Sequence, residues 1–158
     1  MVAGERTALY SRGGRVNEAD TTEADIVVDT NIFFSLLLRE DTALRKRFLT
    51  DSAPRFHCPR FVFVELLQYK ERIAQATELS EEDLLECLYE LLARVHFVEE
   101  GGIPIGTWME ARRLCWDVDA KDAPFIALTL HLDGRLWTGD AELKAGLRAK
   151  GFDRFFEP

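Results

Sequence analysis

Apolar residues along this chain alternate between short continuous runs and helical spacing. The stretch "DIVVD" is a nearly unbroken aliphatic run, which is typical of a strand buried on both faces of a parallel sheet. After the next strand-like stretch, apolar residues recur every three or four positions at Val62, Leu66, Tyr69 and Ile73. This spacing places them on one face of a helix, which we predict over about 60–76.

The same two patterns outline the other elements. The predicted strands are "RFHCP" (55–59), "VHFVE" (95–99) and "RLWTG" (135–139), with "DRFFE" (153–157) as an edge strand. The predicted helices cover about 31–40, 41–52, 81–94, 106–116, a segment from Pro124 to Gly134, and 140–149. Ser80 and Asp83 resemble a capping box at the start of one of these helices. Strands that alternate with helices predict an α/β fold with a mainly parallel sheet.

Length and composition favour a single domain. The chain has 158 residues, enough for one substantial core but too few for two. Residues 1–24 contain few large apolar side chains and a glycine pair, so we expect a flexible leader followed by one domain over 25–158. No apolar run approaches the roughly 20 residues of a membrane span, and the first residues lack the apolar core of a signal peptide. We therefore expect a cytoplasmic protein.

Charge and ligand-type residues narrow the chemistry. The formal net charge is -8, which argues against a broad basic surface for nucleic acid, because such surfaces use Lys and Arg to neutralise phosphates. Nucleic acid remains open as a substrate, since a bound divalent cation supplies positive charge. The three cysteines have no CxxC pair and the three histidines have no HExxH or HxH spacing. Free thiols and isolated histidines are therefore predicted, rather than disulfides or a zinc site.

Five acidic residues stand where the predicted fold places functional groups. Asp29 and Asp140 follow strands, Asp119 and Asp122 precede a helix, and Glu65 interrupts an apolar helix face. The carboxyl ends of parallel strands form the usual ligand crevice of an open α/β sheet. Each acid has a simpler explanation when taken alone, as a turn residue, a helix cap or a residue at the edge of the core. Only their joint arrangement favours a site.

Four segments carry a resemblance to a known family. They are "VVDTNIFFSLL" around Asp29, "FVELLQYK" around Glu65, "DAKDAPFIALTL" around Asp122 and "LWTGDAELKAGL" around Asp140. In this order they resemble the PIN domain, a family of metal-dependent ribonucleases. The resemblance spans about residues 25–156 and implies a three-layer α/β/α sandwich with a central, mainly parallel sheet of four to five strands.

The resemblance also implies an active site. It assigns Asp29, Glu65, Asp122 and Asp140 as catalytic acids that bind Mg²⁺ or Mn²⁺, with Asp119 as an additional ligand. Carboxylates suit these cations, which prefer oxygen ligands. Small polar residues would support the ligands at Thr30, Asn31 and Thr138. The implied reaction is hydrolysis of single-stranded RNA that leaves a 5′-phosphate and a 3′-hydroxyl. Small members of the family are the VapC-type toxins of toxin–antitoxin pairs, which implies an antitoxin partner and a homodimer as further expectations.

Substrate contacts and competing functions stay open. Basic residues that could steer phosphates, or simply form solvated helix faces, are Arg45, Lys46, Arg47, Arg112 and Arg113. The tryptophans could stack on bases or lie in the core. One alternative function is an inactive PIN fold that acts as a binding module. Another is a phosphatase with an aspartate nucleophile, although such enzymes would favour a second Asp at the position of Asn31.

Overall fold

In the part of the chain that the structure describes, the sheet has four parallel strands. The computed structural model describes residues 24–38 and 43–158; the predicted leader therefore lies outside the described residues, apart from its last residue. The strands are β1 (Ile26–Val28), β2 (Phe56–Pro59), β3 (Val95–Val98) and β4 (Arg135–Trp137). Their spatial order is β3-β2-β1-β4, and every pairing between neighbours is parallel. The predicted α/β fold is confirmed.

Seven helices connect and cover the described strands. They are α1 (Thr30–Leu38), α2 (Ala43–Leu49), α3 (Val62–Ala76), α4 (Glu81–Ala93), α5 (Ile105–Cys115), α6 (Ala123–His131) and α7 (Ala141–Ala149). Helix α6 packs against β1, β2 and β4, and α5 packs on α6. Helices α1 and α2 contact α3 and α4 respectively. This arrangement is the predicted sandwich of helices around a central sheet.

An aromatic cluster joins α2 to the sheet. Phe48 of α2 is fully buried, and its ring stacks on Phe56 of β2 with centroids 4.4 Å apart. It also contacts Trp137 of β4 at 5.9 Å and Phe33 of α1 at 6.2 Å, where the rings meet edge to face. Trp137 is thus part of the core and does not offer a surface for base stacking.

The helix ends have the capping residues that the sequence predicts, whereas the last predicted strand is shorter than expected. Ser80 caps α4, because its hydroxyl oxygen accepts a hydrogen bond from the Asp83 N–H at 3.2 Å. Pro124 lies in the first turn of α6, where its missing N–H is tolerated. Gly151 follows α7 with a φ of 85°, a left-handed conformation that favours glycine. The predicted edge strand at 153–157 is reduced to a single parallel bridge between Leu136 and Phe155.

The three cysteines are buried free thiols, as predicted. None of the helices within the described ranges has the length and apolar content needed to cross a membrane. The cytoplasmic location stays a prediction.

The strand order determines where a site can form. Chain connections run from β1 outward to β2 and β3, and then return to place β4 on the other side of β1. Ligands of open α/β sheets bind at the carboxyl ends of the strands where this direction reverses. Here the reversal falls between β1 and β4, which Asp29 and Thr138 directly follow.

Candidate active site

Asp29 lies at the carboxyl end of β1 and is held there by the neighbouring strand. Its backbone N–H donates to the Trp137 carbonyl at 3.0 Å and so extends the β1–β4 ladder by one residue. The Thr138 hydroxyl donates to Asp29 Oδ2 at 2.7 Å. The Asp29 side chain is almost completely buried. A buried carboxylate needs partners of this kind, because burial removes its contacts with water.

Asn31 connects the two loops that follow β1 and β4. Its Nδ2 group donates to Asp29 Oδ2 at 2.8 Å and to the Thr138 hydroxyl at 3.1 Å. Its Oδ1 atom accepts from the Gly139 N–H at 3.0 Å. One amide side chain therefore orients the Asp29 carboxylate and fixes the loop that carries Asp140.

Glu65 reaches the same region from α3. It lies in the first turn of that helix, which begins shortly after β2 and packs against α1. The Thr30 hydroxyl, at the start of α1, donates a hydrogen bond to Glu65 Oε2. Glu65 is only partly buried, so its carboxylate borders the core but remains open to solvent.

The remaining three acids lie at the starts of helical segments. Asp119 precedes a 3₁₀ turn (Ala120–Asp122), and its Oδ1 atom accepts from the Lys121 N–H at 3.0 Å. Asp140 caps α7, because its Oδ1 atom accepts from the Leu143 N–H at 2.9 Å. Asp122 precedes α6 but forms no side-chain cap. Capping and a place in the site are therefore compatible for Asp119 and Asp140.

These side chains line one pocket of about 290 Å³. Five acids line it together with Thr30 and Asn31, and its remaining lining is a set of mainly apolar side chains from α1 and α3 that also includes Arg72. The five acids are Asp29, Glu65, Asp119, Asp122 and Asp140. Residues that are far apart in the sequence thus line one pocket, two of them after strands and the others on or before helices.

Burial and mutual repulsion raise the pKa of three of these carboxyl groups. Burial is the main cause for Asp29, whose pKa rises to about 6 although the Thr138 hydrogen bond opposes the shift. The pKa of Asp122 rises to about 8, first through burial and then through the charges of the other four acids. Burial also raises the pKa of Glu65, against the hydrogen bond from Thr30. Negative charge is therefore concentrated in this pocket beyond what local cations balance.

Comparison with known proteins decides the family. A family model described as "PIN domain" matches residues 27–156, which is most of the chain. The chain belongs to the PIN domain family. A solved structure gives independent support for the fold of this PIN domain: a chain from the crystal structure of VapBC2 from Rickettsia felis bound to a DNA fragment from their promoter. The TM-score is 0.59 at 13% identity, and the match covers 77% of this chain and 92% of that chain. No curated protein matches the sequence.

The donor set of this PIN domain suits a hard divalent cation. The pocket offers carboxylate oxygens without cysteine or histidine, which is the ligand chemistry of Mg²⁺ or Mn²⁺. Within residues 24–38 and 43–158, no three His, Cys, Asp or Glu side chains are grouped so that they could hold a metal ion as they stand. Glu65 is turned toward Thr30, and Asp140 toward the Leu143 N–H. Convergence on one cation therefore requires rotation of such side chains, whereas Asp29 is already fixed.

The predicted basic contacts lie away from the pocket. None of Arg45, Lys46, Arg47, Arg112 and Arg113 is among its lining residues in the described part of the chain. Arg45 pairs with Glu90 at 3.5 Å, and Arg113 forms two hydrogen bonds to Glu110, of 2.8 and 2.6 Å. The Arg112 guanidinium lies 4.5 Å from the centroid of the Trp116 ring. A role for these residues in substrate binding stays a prediction.

The pocket contains residues that the sequence pattern did not single out as functional. Arg72 and Ala76 of α3 line it together with Tyr69 and Ile73, which the helical spacing assigned to a buried stripe. Glu65, Tyr69, Ile73 and Ala76 follow one another at intervals of three or four residues. They therefore share one helix face. The position of Glu65 on that face could have indicated that Tyr69, Ile73 and Ala76 also line the pocket.

The Asp122 carboxyl group predicts an unusual dependence of stability on pH. Its folded-state pKa of about 8 exceeds the ordinary value of 3.8. The folded state therefore binds the proton more tightly, and stability falls as pH rises from about 4 to 8. In chelator, we expect Asp122→Asn to be more stable than the wild type at pH 8 by on the order of 1–2 kcal/mol, a figure reduced for partial exposure.

Urea denaturation at several pH values measures this difference, which should shrink steadily toward pH 4, because only below the ordinary pKa of 3.8 is Asp122 mostly protonated in both states. Asp51→Asn is the matched control, because the Asp51 side chain is fully exposed. Equal stability of Asp122→Asn and wild type at pH 8 would contradict the electrostatic description of the pocket.

Proposed function

We propose that this PIN domain is a metal-dependent endoribonuclease that hydrolyses phosphodiester bonds in single-stranded RNA. One observation carries the proposal: five carboxylates from separate segments line a single pocket at the carboxyl edge of the sheet. A site of this composition attracts a divalent cation and suits hydrolysis without a side-chain nucleophile. PIN domains are generally nucleases, which agrees with this chemistry.

Each acid of the pocket would have a defined role in holding the cation. Asp29, oriented by Thr138 and Asn31, supplies the fixed ligand, because its Oδ2 atom is held by two donors. Glu65, Asp122 and Asp140 supply further ligands, and Asp119 completes the set. A divalent cation, Mg²⁺ or Mn²⁺, would activate a water molecule and offset charge on the scissile phosphate. The expected products carry a 5′-phosphate and a 3′-hydroxyl.

The nearby thiol does not provide an alternative nucleophile. Burial, and next the charge of Asp29, raise the pKa of Cys58 well above its ordinary value. Its Sγ–H group donates to the Val28 carbonyl at 3.2 Å. A protonated, buried thiol is inert, so the carboxylates carry the proposed chemistry.

The biological setting of the proposal is a toxin–antitoxin pair. The structural neighbour belongs to VapBC2 of Rickettsia felis, a protein crystallised with promoter DNA. By this likeness we propose that the chain is a VapC-like toxin, inhibited by an antitoxin protein, and that it forms a homodimer. Co-purification with the product of an adjacent gene would test the partner.

RNA cleavage tests the proposed activity directly. Labelled single-stranded RNA and DNA are incubated with the protein in Mg²⁺, in Mn²⁺ and in chelator, and the products are separated by gel. We expect cleavage of RNA in either cation, none in chelator, and 5′-phosphate ends on the downstream product. Asp122→Asn and Asp140→Asn should each lower the rate by about 10²-fold or more.

Two outcomes would overturn this assignment. Cleavage that survives both substitutions would come from a contaminating nuclease. Absence of cleavage, combined with unchanged RNA binding in both variants, would favour the inactive binding module. A phosphatase would instead release phosphate from small phosphate esters and leave the RNA strand uncut.

A further inference from the structure

We propose that the α1–α3 side of the acidic pocket is a binding site for one nucleobase of a single-stranded RNA, with Tyr69 as its stacking surface and Arg72 as a phosphate contact. This inference rests on the proposed nuclease function and extends it to substrate recognition. The pocket has two chemically distinct halves. The acids form one half, and the other consists of Phe34, Leu38, Tyr69, Arg72, Ile73 and Ala76.

The aromatic surface of the second half is held by packing. The Tyr69 ring meets the Phe34 ring edge to face, with centroids 5.6 Å apart and an interplanar angle of 84°. Tyr69 is half-buried, so part of its ring faces the pocket while Phe34 supports it. A ring fixed in this way can stack on a base without losing much side-chain entropy, and every base has an aromatic face to offer.

Arg72 supplies the positive charge that the pocket otherwise lacks. It is the one cationic side chain among the described residues that line the pocket. Its guanidinium carbon lies 5.6 Å from the centroid of the Tyr69 ring. In the described part of the chain it has no carboxylate partner, although five acids line the same pocket. A guanidinium that lies over an aromatic ring and pairs with none of the described carboxylates suits an anion that is covalently joined to a flat ring, which describes a nucleotide.

The helix places this surface next to the reacting phosphate. Tyr69 follows Glu65 by four residues on α3, which corresponds to roughly one helical turn, or about 6 Å along the axis. A nucleotide adjacent to a phosphate held by the acids would therefore reach Tyr69. The volume of about 290 Å³ lies just below the roughly 300–1,000 Å³ typical of small-ligand pockets. It suits one nucleotide rather than a helix of a partner protein, whose diameter is about 10 Å.

Binding of short RNA to the full-length protein tests the inference. The probe is a labelled single-stranded RNA hexamer, and its partners in the series each carry one abasic ribose. Dissociation constants are measured by fluorescence anisotropy in Ca²⁺, and cleavage of the same strands is followed in Mn²⁺. For the wild type, we expect one abasic position to raise the Kd about tenfold, because one stacked base is lost.

Substitutions separate the two proposed contacts. Tyr69→Leu keeps an apolar side chain against Phe34 but removes the ring, so it should raise the Kd of the intact strand about tenfold and abolish the abasic effect. Tyr69→Phe keeps an aromatic ring, so it should retain both the wild-type Kd of the intact strand and the abasic effect. Arg72→Gln should weaken intact and abasic strands equally and reduce the slope of log Kd against log salt by about 0.7. Tyr89→Phe and Tyr89→Leu, at an exposed tyrosine of α4 outside the pocket, are the matched controls.

The outcomes distinguish this inference from the nuclease proposal. Base-dependent binding that needs Tyr69, without cleavage in Mn²⁺, supports the nucleobase site and overturns the nuclease. Cleavage with a Kd and KM indifferent to abasic ribose and to Tyr69→Leu overturns the nucleobase site and leaves the nuclease intact. A Tyr69→Leu defect confined to binding of a purified partner protein also overturns it. Thermal shifts of each variant in Mn²⁺ verify that the fold and the acidic half are preserved.

Discussion

Asp29→Asn is expected to lower the rate of the proposed RNA cleavage by at least about 10³-fold, because it removes the charge of the carboxylate that Thr138 and Asn31 hold in the pocket. The same substitution should remove most of the stabilisation by Mn²⁺. At a cation concentration of about 100 times Kd, the wild type should gain roughly 2.7 kcal/mol of stability from the proposed cation site. For a chain of this size that corresponds to a rise in Tm of about 5–10 °C. Thermal unfolding with increasing Mn²⁺ or Mg²⁺ measures both proteins.

Asp51→Asn serves as the control, because it also exchanges a carboxylate for an amide but does so at a fully exposed position. It should keep wild-type cleavage and the full thermal shift. The active-site assignment fails if neither cation at millimolar concentration stabilises the wild type. It also fails if Asp29→Asn responds to the cations as the wild type does.

Phe48→Ala is expected to destabilise the protein by about 3–5 kcal/mol, the usual cost of removing a buried phenyl ring. Phe48 is fully buried and holds together Phe56 of β2 and Trp137 of β4. Trp137 directly precedes Thr138, which orients Asp29. Urea denaturation followed by circular dichroism gives the free energy of unfolding.

Two further variants serve as controls for the stability loss of Phe48→Ala. Phe48→Leu keeps much of the apolar volume and should lose only about 1–2 kcal/mol. Tyr89→Ala removes an exposed aromatic ring and should change stability by less than about 0.5 kcal/mol. If Phe48→Ala costs no more than Tyr89→Ala, the aromatic cluster does not join α2 to the sheet as described.

Most of the fold could be predicted because its signals are local. The aliphatic run before Asp29 became β1, and the repeat through Val62 and Leu66 became α3. Ser80 caps α4 through its own side chain. The prediction of the edge strand at 153–157 was less accurate, because in this segment only Phe155 forms a bridge, with Leu136. Pairing at a sheet edge depends on what the neighbouring strand presents, which local pattern does not reveal.

The candidate site was predicted in part. Four strand-end and helix-start acids were singled out by position and family resemblance, together with Glu65, and all five line one pocket. The basic residues on α2 and α5 were chosen for charge alone, and they lie outside that pocket. The charge of a side chain does not indicate where that side chain points. A basic residue on a helix can point toward solvent, toward an acid such as Glu90 or toward a ring such as Trp116.

The sequence by itself determined the order of strands and helices, the acidic character and the resemblance to the PIN domain family. Apolar periods and helix caps act over a few residues, and each motif is a short segment, so all of them can be recognised without coordinates. Only the tertiary structure decided through which hydrogen bonds Thr138 and Asn31 hold Asp29, and that Tyr69 and Arg72 line the same pocket as the acids. Thr138 is 109 residues away from Asp29, and the two meet because β4 returns to pair beside β1. The physical reason is that such contacts depend on strand order and helix rotation, which the packing of the whole core determines.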